Sequence, residues 1–184
     1  MGSLIVIVAS ALALAGYYQL VTRPAEVRLM AGGFEGSVSL QRTWRADRLA
    51  QVVESWRRDG PSRLRLARRC LYVDFGLILL YVVFLLLALR GCARTWPGGE
   101  LFGLAWLKVE PEFFTGFYLV ALAAGLADVA ENLCQLGMIR RPVGSGLAAM
   151  SYAATCAKWI CVLSCGALIA LGLLEAILIQ RLSG

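Results

Sequence analysis

The chain has 184 residues, of which 59% are hydrophobic, and its mean hydropathy is +0.70. A soluble domain of this size does not carry that much apolar surface, so the composition predicts one membrane domain. Histidine is absent, which removes the commonest metal ligand and the usual general base. Eleven of the eighteen basic residues lie between Arg23 and Arg69, a clustering that indicates membrane topology and lipid contact rather than nucleic-acid binding.

The first apolar run covers residues 4–21 and is about long enough to cross a hydrocarbon core of roughly 30 Å. A cleaved signal peptide is the competing interpretation. The run has no basic segment before it, and its basic residues follow it instead. This order favours a retained helix, so we assign residues 1–22 to a first transmembrane helix.

Residues 23–70 form an Arg-rich segment, in which apolar residues alternate on both sides of Gly32-Gly33. This alternation predicts a short hairpin. Farther along, residues 43–59 show helical spacing and predict an amphipathic helix. Its apolar stripe, which is a candidate surface for a partner helix, comprises Leu49, Val52, Val53 and Trp56. Packing of that stripe on the membrane surface or on the protein's own spans is the alternative.

The amphipathic helix is predicted to end at Gly60-Pro61, and a new helix then leads into the next span. Four arginines on it are expected to contact anionic lipid headgroups: Arg63, Arg65, Arg68 and Arg69. The remaining residues, 71–184, are predicted to contain three further transmembrane helices, at 71–89, 113–136 and 147–179. Residues 91–112, which include Cys92, are expected to form an interfacial loop.

Basic residues face the cytoplasm in most membrane proteins. The Arg-rich segment and the Arg140-Arg141 turn are therefore predicted to be cytoplasmic, whereas the 91–112 loop and both termini are non-cytoplasmic. The predicted fold is an all-α polytopic membrane four-helix bundle with a small cytoplasmic segment that contains one amphipathic helix.

Four charged residues within the predicted spans are candidates for one polar site: Asp74, Asp128, Glu131 and Lys158. A charge at the centre of a transmembrane helix costs about 2.5–3.5 kcal/mol on insertion scales, so such residues are usually paired, hydrated or functional. With a rise of about 1.5 Å per residue, all four fall in the cytoplasmic half of the predicted bundle.

The neighbouring polar residues support one shared pocket. Helical spacing places four polar residues on one face of the predicted span 113–136: Asp128, Glu131, Asn132 and Gln135. In the predicted span 71–89, Asp74 and Tyr81 are seven residues apart and likewise share one face. With Lys158, these residues form the predicted pocket for a ligand, a proton or a cation. Because three carboxylates then meet one ammonium, either a shared proton or a bound cation is expected. A purely structural role, in which polar contacts fix the helix register, is the alternative.

Several short motifs resemble those of a widespread family of small, uncharacterised bacterial integral membrane proteins with four spans. They are Phe34-Glu35, Trp56, Asp74-Phe75, Tyr81, the Asp-x-x-Glu-Asn motif at 128–132, and Lys158-Trp159. The resemblance covers residues from Phe34 to the end of the last span. It implies a bacterial inner-membrane location and supports the same site residues, but it implies no particular chemistry.

The function predicted first is that of a membrane binding or interaction protein, such as a subunit of a membrane complex. A small oligomeric transporter coupled to protons or cations is the alternative, and the excess of carboxylates favours it. Its small size counts against it, because four spans without a repeat would need to assemble into an oligomer. A metal-dependent membrane enzyme is the third interpretation, with an oxygen-rich site suited to Mg²⁺ or Mn²⁺. No catalytic residue, metal ligand or cofactor is assigned, and the predicted partners are anionic lipids and a protein partner or second copy.

Overall fold

The computed structural model of the protein describes residues 2–95 and 111–182. These residues contain six α-helices: α1 (Gly2–Tyr17), α2 (Arg23–Met30), α3 (Ala46–Arg58), α4 (Pro61–Thr95), α5 (Pro111–Arg140) and α6 (Ser145–Leu182). A π-helix, Tyr18–Thr22, joins α1 to α2, and a 3₁₀ helix, Ser37–Gln41, precedes α3. The described residues contain no β-strand, so the predicted all-α class is confirmed for them.

Four helical segments are long and apolar enough to cross a membrane: Ile5–Met30, Pro61–Arg94, Glu112–Arg140 and Ser145–Glu175. They match the four predicted spans in number and order. Length and hydropathy together indicate a multi-pass membrane protein. The last of these helices, α6, has 38 residues, or about 57 Å at about 1.5 Å per residue, which exceeds the thickness of a bilayer core.

The hairpin predicted around Gly32-Gly33 is wrong. The residues before the two glycines belong to α2, and those after them lead into the 3₁₀ helix. Both glycines have a positive φ, +83° and +82°, which allows the chain to leave α2 in a tight turn. The alternating apolar residues do not form a common strand face, because Val27 and Val38 are exposed and only Leu29 and Leu40 are buried. Leu29 belongs to α2 and Leu40 to the 3₁₀ helix.

Two predicted boundaries are also wrong. The first helical segment does not end near residue 22, since the π-helix and α2 extend it to Met30. The predicted loop at 91–112 begins later, because α4 extends to Thr95. Cys92 is therefore helical and buried rather than in a loop. The rest of that predicted loop, 96–110, lies outside the described residues.

Helix α3 lies across one end of the long helices and is held by its apolar stripe. Leu49, Val53 and Trp56 are fully buried in a core shared with α4 and α5. The Trp56 Nε1–H donates to the carbonyl of Glu35 at 2.9 Å. A buried indole N–H usually has a hydrogen-bond partner. Here that hydrogen bond fixes the orientation of the Trp56 ring.

An arginine of α3 also caps a long helix. The Arg57 guanidinium donates to the carbonyls of Ile139 and Arg141 at 3.4 and 3.2 Å. The last carbonyls of a helix have no partner within the helix, so this contact satisfies the end of α5 and ties α3 to it.

The three long helices α4, α5 and α6 alternate in direction and enclose two apolar cores. One core lies beside α3 and includes Leu71, Leu136 and Ala148. The other lies toward the opposite end and includes Leu89, Ala121 and Cys165. A layer of polar side chains separates them.

Helix α1 packs closely on α4 at a glycine. The Tyr17 hydroxyl donates to the carbonyl of Val73 at 2.9 Å. A Cβ at Gly76 would overlap the same hydroxyl. The absence of a side chain at this position therefore allows the tyrosine to reach the α4 backbone.

Candidate functional site

The polar layer between the two cores, defined here as Asp74, Tyr81, Asp128, Glu131, Asn132, Gln135 and Lys158, contains all the residues predicted to form the pocket. Five of them are at most 7% exposed: Asp128, Glu131, Asn132, Gln135 and Lys158. Asp74 is half-buried. Four of these side chains were predicted to share one face of α5, and in the structure that face is directed toward α4 and α6.

Lys158 of α6 bridges two carboxylates of α5. Its Nζ lies 2.8 Å from Asp128 Oδ1 and 2.7 Å from Glu131 Oε2. The ammonium is aligned as a hydrogen-bond donor on Asp128. Its contact with Glu131 is close enough for an ion pair but is not aligned as a hydrogen bond. Both contacts join α5 to α6 within the buried layer.

A second set of contacts joins α5 to α4. The Asn132 amide donates to Asp74 Oδ2 at 2.8 Å, and the Tyr81 hydroxyl donates to the carbonyl of Ala124 at 3.1 Å. Asp74 therefore pairs with a neutral amide, whereas Asp128 and Glu131 share the ammonium. The three carboxylates all belong to one layer but have different partners.

The layer has more acceptors than donors. The Gln135 amide donates to Glu131 Oε1 at 2.8 Å. Among the described residues, neither Asn132 Oδ1 nor Gln135 Oε1 has a hydrogen-bond partner, although both are fully buried. A buried acceptor without a donor is unfavourable by about 1–3 kcal/mol. An additional donor inside this layer would therefore be stabilising.

Comparison with known proteins gives no guide to this layer. The chain matches no protein-family model, no curated protein and no solved structure. The resemblance to small bacterial membrane proteins stays a prediction.

Two buried polar residues on the same face of α6 as Lys158 were not predicted from the sequence. Ser151 and Thr155 are buried, and they precede Lys158 by seven and three residues, so all three share one face of α6. The Thr155 hydroxyl donates to the carbonyl of Ser151 at 3.0 Å. The spacing from Lys158 was a signal that could have identified both residues.

The layer does not gather its acids around one metal position. The described residues contain no group of three or more His, Cys, Asp or Glu side chains placed to hold a metal ion. The Lys158 ammonium occupies the space between Asp128 and Glu131, where a cation would otherwise sit. Asp74 is held separately by Asn132.

The predicted partner helix has its apolar stripe turned inward. Leu49, Val52, Val53 and Trp56 are at most 2% exposed and pack in the protein's own core. The stripe is therefore not available to a partner in this conformation. The alternative, that it packs on the protein's own helices, matches the structure. Burial of an apolar stripe on the nearest helices of the same chain removes it from water without any partner.

One of the four predicted headgroup arginines is used inside the protein. Arg63 donates to the carbonyls of Arg28 and Leu29 at 3.1 and 2.9 Å, and it pairs with Asp59 at 2.7 Å. Its guanidinium also stacks on the Phe34 ring at 4.2 Å. These contacts cap the end of α2, so Arg63 is not free to bind a headgroup.

The other three arginines keep more exposure. Arg65 and Arg69 are exposed on α4, and Arg68 is half-buried and donates to the carbonyl of Leu64 at 3.4 Å. Their predicted contact with lipid headgroups stays a prediction.

Proposed function

We propose that the protein is an integral membrane binding protein whose polar layer binds a proton shared among Asp74, Asp128 and Glu131. The observation that carries the proposal is the ratio of charges within the layer, which contains three carboxylates and one ammonium; the ammonium contacts Asp128 and Glu131, and Asp74 is held by a neutral amide. With every group ionised, the layer would hold a net charge of −2. An excess charge in a low-dielectric interior is unfavourable, and proton uptake reduces it.

The unpartnered acceptors support a proton rather than a metal ion. A protonated carboxyl group gains an O–H donor, and the buried oxygens of Asn132 and Gln135 lack donors. A cation would instead compete with Lys158 for the space between Asp128 and Glu131. One added proton therefore reduces both the charge excess and the shortage of donors.

The site residues are proposed to act as a coupled group. Close carboxylates that interact strongly take up protons in steps that belong to the group. We therefore propose that Asp74, Asp128 and Glu131 share the proton. In this proposal Lys158 holds the carboxylates of Asp128 and Glu131, and Asn132 positions the carboxylate of Asp74.

The proposed cellular setting follows from the charge distribution. We infer that the Arg-rich segment with α3 faces the cytoplasm of a bacterial cell and that both termini lie outside, because basic loops remain inside. In this setting the protein would act as a complex subunit or a homo-oligomer. Its contacts would use the lipid-facing sides of the long helices, since the stripe of α3 is buried.

Proton-coupled transport is the second candidate, and one observation favours it. Asp74 is half-buried, whereas Asp128 and Glu131 are buried. A more accessible carboxyl at the edge of the layer would let protons exchange with the surroundings. Proton flux into liposomes that contain the protein, abolished by Asp74→Asn, is the expected result for a transporter.

Infrared spectroscopy of the purified protein tests the proton directly. We expect the C=O stretch of a protonated carboxyl group near neutral pH, shifted in D₂O. It should be lost in the Asp128→Asn/Glu131→Gln double variant, which leaves too few carboxylates to share a proton. The exposed Asp47 provides a matched control, and Asp47→Asn should leave the band unchanged.

The outcome that contradicts the proposal is equally specific. If folded protein shows no protonated carboxyl band at neutral pH, the three acids are ionised and compensated in another way. A band that survives in the double variant would belong to Asp74 or to a residue outside the layer, and the proton would then not be shared with Asp128 and Glu131.

A further inference from the structure

A lateral cleft of about 380 Å³ opens between α4, α5 and α6, close to the end that α3 covers. Its apolar lining includes Phe75 of α4, Leu133 of α5 and Leu147 of α6. Leu133 is 57% exposed, so this side of the cleft faces outward from the bundle. If the long helices cross a bilayer, an apolar cleft that opens outward between them would contact acyl chains.

Two arginines border the same cleft where α5 ends. Arg140 donates to the Tyr72 hydroxyl at 3.2 Å, and Arg141 follows it directly in the chain. Both arginines are exposed, and neither forms an ion pair within the described residues. No acidic side chain lines the cleft. The rim therefore holds two uncompensated positive charges above an apolar floor.

We propose that this cleft binds one anionic phospholipid, with its phosphate on Arg140 and Arg141 and one acyl chain along Phe75, Leu133 and Leu147. Guanidinium groups bind phosphate through paired, charge-assisted hydrogen bonds. Basic pockets between transmembrane helices are typical sites for anionic headgroups. The combination of a basic rim and an apolar floor fits an amphiphile better than a soluble anion.

The Tyr72 hydroxyl gives the rim a fixed geometry. Arg140 is the last residue of α5 and Tyr72 lies in α4, so their contact holds the guanidinium at the mouth of the cleft. Arg141 is anchored differently, because its carbonyl accepts from Arg57. Substitution of the Arg141 side chain leaves that backbone contact in place.

Other exposed arginines provide a matched control. Arg28 and Arg42 are also exposed, neither forms an ion pair within the described residues, and neither lines the cleft. Arg28→Gln/Arg42→Gln removes the same charge as Arg140→Gln/Arg141→Gln. Any difference between the two double variants reports the cleft rather than the total charge of the protein.

Native mass spectrometry of the detergent-solubilised full chain, with added dioctanoyl phosphatidylglycerol or dioctanoyl phosphatidylcholine, tests the proposal. We expect one phosphatidylglycerol to bind at least about tenfold more tightly than phosphatidylcholine, a difference of about 1.4 kcal/mol. Arg140→Gln/Arg141→Gln should remove this preference, and Arg28→Gln/Arg42→Gln should retain it. Tyr72→Phe, which loses one hydroxyl group, should weaken binding by a smaller factor.

Three results would overturn the proposal. The first is equal binding of the two lipids by the unmodified protein. The second is an equal loss in both double variants, which would indicate attraction by overall charge. The third is full displacement of phosphatidylglycerol by equimolar glycerol 3-phosphate, which would show that the apolar floor contributes nothing. Circular dichroism and gel filtration establish that each variant is folded, and Tyr72→Phe remains informative if the double variant is not.

Discussion

Removal of the Lys158 charge tests whether the polar layer is held together as the geometry indicates. Lys158→Met keeps a long, flexible side chain but removes the ammonium that contacts Asp128 and Glu131 at 2.8 and 2.7 Å. Both carboxylates are buried, with exposures of 5% and 0%, so neither can recover its hydration. Loss of one partner of a buried ion pair typically costs about 3–5 kcal/mol.

Thermal unfolding monitored with a thiol-reactive fluorophore provides the measurement. Cys70, Cys134 and Cys165 are free and buried in the folded chain, so they react when it unfolds. Cys156 is exposed, and Cys156→Ser in all variants lowers the background. For a chain of this length, about 3–5 kcal/mol corresponds to a midpoint lowered by roughly 6–20 °C.

The control is a residue of the same helix that faces outward. Leu163 is 66% exposed, and Leu163→Ala should change stability by no more than about 0.5 kcal/mol. Replacement of the whole ion group, with Lys158→Met, Asp128→Asn and Glu131→Gln together, should recover most of the loss, since neutral residues need no buried counter-charge. If Lys158→Met alone is no less stable than Leu163→Ala, the carboxylates are hydrated or separated, and the reasoning about the layer is refuted.

Two further substitutions test the packing around the layer. Trp56→Ala should destabilise the attachment of α3 by about 3–5 kcal/mol and accelerate tryptic cleavage within that Arg-rich helix, whereas Trp44→Ala, at a site 62% exposed, should not. Equal cleavage of the two variants would contradict the docked position of α3. Gly76→Ala should lower the thermal midpoint because its Cβ overlaps Tyr17, at a cost of about 1–3 kcal/mol. Gly166→Ala, with nothing within 4 Å, should be neutral or stabilising, and a similar fall in both variants would exclude the overlap as the cause.

The sequence by itself determined the helical class and the number of long apolar helices. Hydropathy over windows of about 20 residues identifies such helices because a bilayer demands a minimum apolar length. The spacing of Asp128, Glu131, Asn132 and Gln135 also determined that they share a face of α5, since helical periodicity is local. The structure adds that this face meets Asp74 of α4 and Lys158 of α6.

Boundaries and short turns were less accessible from the sequence. The alternation around Gly32-Gly33 fitted a hairpin and two helical ends equally well, because each apolar position has the same local pattern in both. Of the four alternating apolar residues, Val27 and Val38 are exposed and only Leu29 and Leu40 are buried, and their burial comes from distant helices. The extension of α4 to Thr95 similarly depends on packing, since Cys92 lies against Gly172 of α6.

Only the tertiary structure decided which polar side chains form contacts within the fold and which face a cleft on its surface. Arg63 and Arg140 have the same side chain, but one caps α2 and the other stands at the mouth of an apolar cleft. The apolar stripe of α3 was predicted from its helical period, but the sequence did not show that the protein's own core covers it. Periodicity is a property of neighbouring residues and shows which side chains share a face, whereas the group that covers a face is set by contacts between residues far apart in the chain.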